Sequence, residues 1–466
     1  MNVKLDDIQI PAYPCGSYNF IRRLRGEAVP ESEARVQEGE PSKKEKQVRS
    51  PTKLKIAIIG AGVGGLSTAI ALKREGHTVT VYEQALALSE VGAGIQIPPN
   101  SSRILHSWGL EAALERRSVK PSGILWRRWQ DGSIIGNASL NPELQERFGA
   151  PYYVTHRAHL HDVLHERVQE LGVPVQLGKR VEGYDADGGV EFGDGEVIQA
   201  DLVVAADGIK SAARKKLNGE KDKGPHGHGL AAYRATVAMH EIRADPLLKW
   251  IADSPGLNLW IGHNLHVMSY AIAGGEQYNL VLTHPTSPEI RNRPATEILD
   301  EMRSSYQGWD PVLRRLLDLV THALDWPIHA IDIPETWASH SGKLVLLGDA
   351  AHAMVPYMAA GAAMAVEDAA ALAAALNKLG SREDLADVVS KWTVVRKRRT
   401  TQVHQASLGH GVILHLPDGP VQRARDEALK GELGAGGITE SPNQWSDPTV
   451  TEWLYSYRAD DLSTAS

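Results

Sequence analysis

Hydrophobic positions along this chain follow two styles, and the switch between them divides the sequence. From Lys53 the first style dominates. Ile56-Ala57-Ile58-Ile59 is apolar without alternation, as expected of a strand covered on both faces in a parallel sheet. Leu66 to Glu75 reads as a helix and His77 to Tyr82 as a second strand, which completes a βαβ unit. Asn100 to Arg117 has a helical pattern, with Pro98-Pro99 ahead of it. Arg157 to Leu171 is another helix, ended by Gly172. Val190–Phe192 and Glu196–Gln199 flank Gly193-Asp194-Gly195, a hairpin signal, and Asp201 to Ala206 is again a buried-type strand.

The second style runs from about Gly229 to Thr283. Ala232–Met239, Leu257–Ile261, Leu265–Ile272 and Tyr278–Leu282 are short alternating runs with Gly or Pro breaks, which predict an antiparallel sheet. The βαβ style returns at Lys343. The pattern therefore predicts an α/β nucleotide-binding domain in two parts, 53–225 and 331–416, interrupted by a β-rich module at 226–330. Residues 417–466 form a C-terminal segment. Residues 1–52 read as a disordered or linker extension, because Glu31 to Ser50 has little to bury. Gln9 to Phe20 has apolar and aromatic residues without a period, and can dock on the surface.

Composition narrows the class. The 466 residues are 42% hydrophobic and 23% charged, which suits a soluble globular chain of two or three domains. A net charge of -7 gives no electrostatic case for nucleic acid or an acidic membrane. No window approaches the ~18 uninterrupted apolar residues of a membrane span. The single cysteine, Cys15, excludes a disulfide within the chain and fits a reducing, cytoplasmic location. The basic run Arg396-Lys397-Arg398-Arg399 reads as a solvated helix face. His156, His159, His161 and His165 share helical spacing, but no HExxH or carboxylate arrangement completes a metal site, so no metal is expected.

Three motifs carry chemistry. Gly60, Gly62 and Gly65 form a GxGxxG between a strand and a helix. There the first glycine allows the turn, the second lets a pyrophosphate approach, and the third lets helix and strand pack. Glu83 ends the second strand about 20 residues on, the place of a carboxylate that binds ribose hydroxyls. This much fits NAD(H) and FAD equally. Asp207-Gly208 follows a buried strand and alone is a turn signal. Gly348-Asp349 follows a third apolar run and leads through a Pro-containing loop to Gly361 and an Ala-rich helix. A helix N-terminus so placed suits a phosphate-bearing cofactor.

In this order the three motifs resemble those of the class A flavoprotein monooxygenases, the salicylate- and hydroxybenzoate-hydroxylase-like aromatic hydroxylases. The resemblance runs from about Lys53 to about Leu416. Gly92 to Asn100 (GAGIQIPPN) and Pro356 to Asp368 (PYMAAGAAMAVED) are most similar to the fungal salicylate-hydroxylase-like branch. The resemblance implies a Rossmann-like FAD-binding domain of the hydroxybenzoate-hydroxylase type, with an inserted antiparallel sheet over the substrate. It implies FAD as cofactor and NAD(P)H as co-substrate. A flavin C4a-hydroperoxide formed from O₂ would hydroxylate a phenolic or salicylate-type aromatic, polyketide-derived phenols of secondary metabolism included.

Residue by residue, the resemblance places Glu83 at the adenosine ribose, Gly94 on the flavin side, Arg157 against FAD and Asp349 at the ribityl chain. Asp207 with Gly208 would serve both FAD and NAD(P)H. Gly361 keeps a close backbone approach, and Ala362 starts the helix facing the pyrophosphate and isoalloxazine. Arg234 and Tyr270 would be catalytic in the substrate cavity: Arg234 against a phenolate or carboxylate, Tyr270 on the phenol proton. The other reading of Arg234 is an ordinary strand arginine paired with a carboxylate. One departure stands out: many members carry Gly-Gln-Gly where this chain has Ala359-Ala360-Gly361. His263 and His266 read as structural or surface histidines, with service as a base the other reading for either, and His352 reads as packing beneath its loop. The alternatives are a flavin-dependent epoxidase or oxidoreductase on a non-aromatic substrate, and a flavin-free binding protein on the same fold. The expected assembly is a monomer or homodimer.

Overall fold

The computed structural model describes residues 16–29, 50, 52–88, 93–286, 294–434 and 437–459; Cys15, Gly92 and all but the last residue of Glu31–Ser50 lie outside the described residues. Within the expected N-terminal extension, Gly16–Arg25 forms helix α1. It is not loosely attached. Ile21 is fully buried, the Tyr18 hydroxyl donates to the Gln405 carbonyl at 2.7 Å, and Ser17 Oγ donates to the Pro442 carbonyl at 2.8 Å.

The βαβ unit is β1 (Lys55–Ile59), α2 (Val63–Arg74) and β2 (Thr78–Tyr82). Then come β3 (Gly94–Ile97), α3 (Arg157–Glu170), β4 (Leu202–Ala205) and α4 (Ala212–Asn218). The expected helix over 100–117 is two helices, Pro99–Ser107 and Glu111–Arg117, because Gly109 takes φ 85° between them. A left-handed glycine ends a helix at little steric cost.

The later part supplies β5 (His226–Ala238), β6 (His266–Ile272), β7 (Gln277–Pro285), β8 (Leu344–Leu346), α5 (Asp349–His352), α6 (Gly361–Leu376) and α7 (Leu385–Leu414). A parallel sheet has the order β8-β4-β1-β2 with Val175–Gln176 at the edge. Apolar runs without alternation are explained by this arrangement: β4 and β8 are buried at every residue.

A seven-stranded sheet has the order Ala323–Ala330, β5, β7, β6, Leu257–Ile261, Gly123–Arg128, Ile134–Ser139. It differs from the expected insertion in two ways. Its last two strands come from the segment expected to belong wholly to the nucleotide-binding domain, and Leu257–Ile261 pairs parallel with Gly123–Arg128. Alternation gives this sheet two faces. Tyr233, Ala235 and Val237 of β5 pack outward with Tyr306, Trp309 and Leu313. Ala232 of β5 and Met268, Tyr270 and Ile272 of β6 share the inner core with Tyr357, Met358, Ala360 and Met364. The sheet thus roofs the loop before α6 and the start of that helix.

The expected solvated basic face on α7 needs correction. Arg398 is exposed and Lys397 half-buried, but Arg396 and Arg399 are buried. Three residues apart, they share one face of the helix. Arg396 meets Glu367 at 2.9 Å and Asp368 at 2.7 Å, both on α6, and Arg399 meets Glu367 at 3.1 Å. Asn100 Nδ2 donates to Glu367 at 2.7 Å, and Arg399 Nη2 donates to the Leu454 carbonyl at 2.8 Å. The run is basic because α6 buries two adjacent acids that need partners.

Candidate cofactor and substrate site

Gly60, Glu83, Asp207 and Asp349 follow β1, β2, β4 and β8 and therefore sit in a row along the carboxyl edge of the parallel sheet. That edge is where open α/β sheets take ligands. The three motif glycines have separate tasks. Gly60 has φ 102°, and a Cβ on it would fall 2.3 Å from the Ala206 carbonyl oxygen. A Cβ on Gly65 would fall 1.9 Å from the Gly60 oxygen, so Gly65 sets the contact of α2 with β1. Among the described residues a Cβ on Gly62 would meet nothing within 4 Å, which leaves its backbone open to a ligand.

Glu83 is held in place from within the chain. Its Oε2 accepts from the Ala61 N–H at 2.8 Å and its Oε1 from the Ala85 N–H at 2.9 Å. His161 Nε2 lies 2.7 Å from the Ala61 carbonyl oxygen and braces the same turn from α3. A carboxylate has about four acceptor sites, so capacity remains for ribose hydroxyls.

Asp207 caps α4. Its Oδ2 accepts from the N–H groups of Ala212 at 3.1 Å and Ala213 at 3.4 Å, and from the Tyr184 hydroxyl at 3.0 Å. Its Oδ1 is buried and has no partner among the described residues. Such an orphan acceptor at the carboxyl edge can take a donor from a bound cofactor.

Asp349 is exposed at the first position of α5. The turn before it is pinned from below: the Gly348 N–H donates to Asp368 Oδ2 at 3.1 Å, and His352 Nε2 lies 2.6 Å from the same oxygen. Burial would raise the Asp368 pKa, but His352 and then Arg396 hold it at about 2. His352 thus packs beneath its loop and also ties that loop to α6. Among the described residues a Cβ on Gly361 would meet nothing within 4 Å, so the N-terminus of α6 is open to an anionic group. Ala359 takes φ 52°, a left-handed conformation that costs a non-glycine residue on the order of 1–3 kcal/mol. Ala360, where many class A members carry Gln, is 3% exposed and belongs to the inner apolar core.

Arg234 of β5 and Tyr270 of β6 are neighbours on the inner face of the roof. Among the described residues Arg234 has no carboxylate partner, and its Nε is buried without a hydrogen bond. Its guanidinium lies 5.9 Å from the centroid of Trp326. Burial lowers its pKa, the neighbouring Tyr270 opposes that, and Arg157 adds to it. Arg157 is the first residue of α3, and its backbone N–H donates to the Ala93 carbonyl at 3.0 Å. The reading of Arg234 as a carboxylate-paired strand arginine is not met.

Burial pushes the Tyr270 hydroxyl well above its ordinary pKa, against the pull of Arg234, so Tyr270 is protonated at neutral pH. Gly94 meets this tyrosine directly. A Cβ on Gly94 would fall 2.5 Å from Tyr270 Cε2 and 2.6 Å from its hydroxyl oxygen. Asn279, opposite Tyr270 on β7, accepts the Gly94 N–H at 2.8 Å. His266 is buried, with Nδ1 2.7 Å from His415 Nε2; burial and then His415 push its pKa down, so it is neutral. His263 is exposed and accepts from the Asp418 N–H at 3.3 Å.

Sequence reasoning missed Gln96, Asn279, Trp326 and His161. Gln96 carried one signal: alternation puts it on the same face of β3 as Gly94. The other three act through partners far away in sequence.

Comparison with known proteins agrees with this geometry. Residues 53–407 match the family described as FAD binding domain. The chain is 37% identical to FAD-dependent monooxygenase OpS4 of Beauveria bassiana (strain ARSEF 2860), over 88% of this chain and 96% of that one. It is 38% identical to 3-amino-4-hydroxybenzoate 2-monooxygenase PtmB3 of Streptomyces platensis, over 80% and 92%. Among solved structures, Klebsiella pneumoniae HpxO complexed with FAD and uric acid matches with a TM-score of 0.71 and 26% identity, over 83% of this chain and 95% of that one. Gly62, Glu83, Asp207 and the start of α6 all lie within the matched residues. The chain belongs to the FAD-binding domain family.

Proposed function

We propose that this protein is an FAD-dependent monooxygenase that uses NAD(P)H and O₂ to hydroxylate a phenolic or salicylate-type aromatic. The observation that carries the substrate class is the pair on the inner face of the roof: a buried guanidinium with no carboxylate partner among the described residues, beside a tyrosine kept protonated by burial. A cation and a hydroxyl donor aimed into one apolar space suit an aromatic oxyanion. The relatives support this, since PtmB3 bears the name of a hydroxybenzoate monooxygenase.

FAD, when bound, supplies the redox and oxygen chemistry. The chain's own residues hold, orient and shield. Gly62 and the start of α6 receive the anionic groups of the cofactor, Glu83 its ribose, and Asp349 its ribityl hydroxyls. Arg157 contacts the cofactor near the substrate space. Arg234 binds the substrate phenolate or carboxylate, and Tyr270 donates to the substrate oxygen. Met268, Met358 and Met364 line the inner core and keep water out. We assign the cofactor domain to 53–225, less the strands over 123–139, and 331–416, and the roof to 226–330 together with those two strands. We place the enzyme in the cytoplasm as a monomer or homodimer.

The test is a panel of phenols and salicylates assayed for stimulated NADPH oxidation, with products identified by mass. Stimulation together with a product heavier by one oxygen supports the reading. A flavin-loaded enzyme that no phenol stimulates would overturn it in favour of a non-aromatic substrate.

A further inference from the structure

Asn279 lies between Arg234 and Tyr270 on the inner face of the roof. It is fully buried on β7, directly opposite Tyr270 of β6 and Thr236 of β5. Arg234, which pairs with Val281, is its diagonal neighbour one row along. Thr236 and Val281, beside it on the same face, keep some exposure, so open space lies against this part of the sheet. Asn279 and Tyr270 also meet one glycine of the cofactor domain. A Cβ on Gly94 would fall 2.6 Å from the Tyr270 hydroxyl oxygen, and the Gly94 N–H donates to Asn279 Oδ1 at 2.8 Å.

That bond fixes the carboxamide. A backbone N–H can only donate, so the atom facing Gly94 is the amide oxygen, and the NH₂ group is left over. Asn279 Nδ2 is buried and has no hydrogen-bond partner among the described residues. Arg234 Nε, on the diagonal neighbour, is in the same condition. A guanidinium has donors and no acceptor, so it cannot satisfy the amide. With the Tyr270 hydroxyl, three adjacent strands thus bring three donors to one patch, and two of them are orphans. A buried orphan donor calls for an acceptor that the fold does not supply. Arg234 and Tyr270 receive one oxyanion, as assigned above, which leaves Asn279 needing a second oxygen. Side chains directly opposite on neighbouring strands have Cβ atoms only about 4.5–5.5 Å apart. The oxygen at Asn279 therefore lies close to the one at Tyr270, as on adjacent ring carbons and not across the ring.

We propose that Asn279 is a specificity-determining residue whose amide N–H donates to a second substrate oxygen, on a group ortho to the phenolate. The substrate is then a phenol with a carboxylate or carbonyl group next to its hydroxyl, and not a bare phenol. This rests on the phenol reading above and narrows it. Gly94 holds the carboxamide in place before any ligand arrives, so binding spends little entropy on ordering it.

The test measures the binding of salicylate, its para isomer 4-hydroxybenzoate and unsubstituted phenol to the purified FAD-loaded protein by titration calorimetry. Flavin content and a thermal melt are recorded for each preparation. Wild type is expected to favour salicylate over the para isomer. Asn279→Asp keeps an oxygen for the Gly94 N–H and loses the donor. It should keep its flavin and weaken salicylate roughly tenfold more than 4-hydroxybenzoate, the loss of one hydrogen bond to a charged group. The introduced charge acts on both isomers, so the ratio between them isolates the contact. A merely structural role would weaken both equally. If wild type binds none of the three, the phenol reading itself falls. If it binds phenols without favouring the ortho isomer, or if Asn279→Asp weakens both isomers alike, the role of Asn279 is overturned and the phenol reading stands. Should Asn279→Asp fail to take up FAD, Asn279→Ala decides by the same ratio.

Discussion

Replacing Arg234 by methionine separates a binding arginine from a structural one, because the two roles predict opposite effects on stability. Arg234 is buried on β5, has no carboxylate partner among the described residues, and carries an unpaired Nε. In the free protein its charge has lost water without gaining an anion. Removing it therefore relieves a desolvation cost, and methionine refills most of the volume with a flexible apolar chain. Arg234→Met is expected to melt at or above the wild-type temperature and to keep its full flavin content. Substrate binding should suffer. A charge-assisted hydrogen bond to a buried anion is worth about 1.5–3 kcal/mol, which is roughly a 10- to 150-fold loss in kcat/KM for a phenolate substrate. The assay is substrate-stimulated NADPH oxidation across a concentration series, beside a thermal melt of the same preparation. Unchanged kcat/KM with a good phenol would refute the role of Arg234. So would a drop in melting temperature as large as the loss of a buried ion pair causes, since that would mean the guanidinium has a partner in the fold.

Gly62→Ala and Gly65→Ala should differ although they lie three residues apart. The first adds a methyl group to open space and should give a folded protein with reduced FAD content; the second drives a Cβ to 1.9 Å from the Gly60 oxygen and should impair folding. Flavin absorbance per protein and circular dichroism separate the two, and equal folding of both variants would contradict the assigned tasks. Arg396→Met removes the cation that buried Glu367 and Asp368 share and should cost about 3–5 kcal/mol in chemical unfolding; a cost below about 1 kcal/mol would show that Arg399 and His352 suffice for the two acids. Burial, the leading cause in each case, holds the pKa of His77 and His404 at about 4 and that of His410 and His415 at about 3. In the unfolded chain these groups titrate near 6.5, so the unfolded state binds more protons below that pH and stability falls as pH drops toward about 4. Melting temperatures that do not fall between about pH 7.5 and pH 5 would count against neutral buried histidines.

Much of the cofactor half was legible because local rules govern it. An apolar run without alternation, a GxGxxG directly after it and Glu83 at the next strand end specify the βαβ unit without outside help. The roof was legible in outline, since its strands alternate and the chain breaks them with Gly and Pro. Its last two strands were not. Ile134 to Ser139 carries Gly136 and Asn137 between apolar residues, and Gly123 to Arg128 ends in two arginines, so neither has a clean period. The basic run was misjudged because its partners, Glu367 and Asp368, lie on another helix, and only packing brings them together. Ala360 shows the same limit. Sequence marked it as a departure, but its place in the inner apolar core appears only when α6 meets the sheet.

The most direct measurement of the central claim is the fate of oxygen. The purified, flavin-loaded protein is incubated with NADPH, a phenol that stimulates NADPH oxidation, and isotopically heavy O₂. The account predicts a product that carries one heavy oxygen atom on the aromatic ring, with Tyr270→Phe and Arg234→Met forming less of it per NADPH consumed. NADPH oxidation that yields only peroxide with every phenol tested, or a product whose new oxygen comes from water, would contradict it.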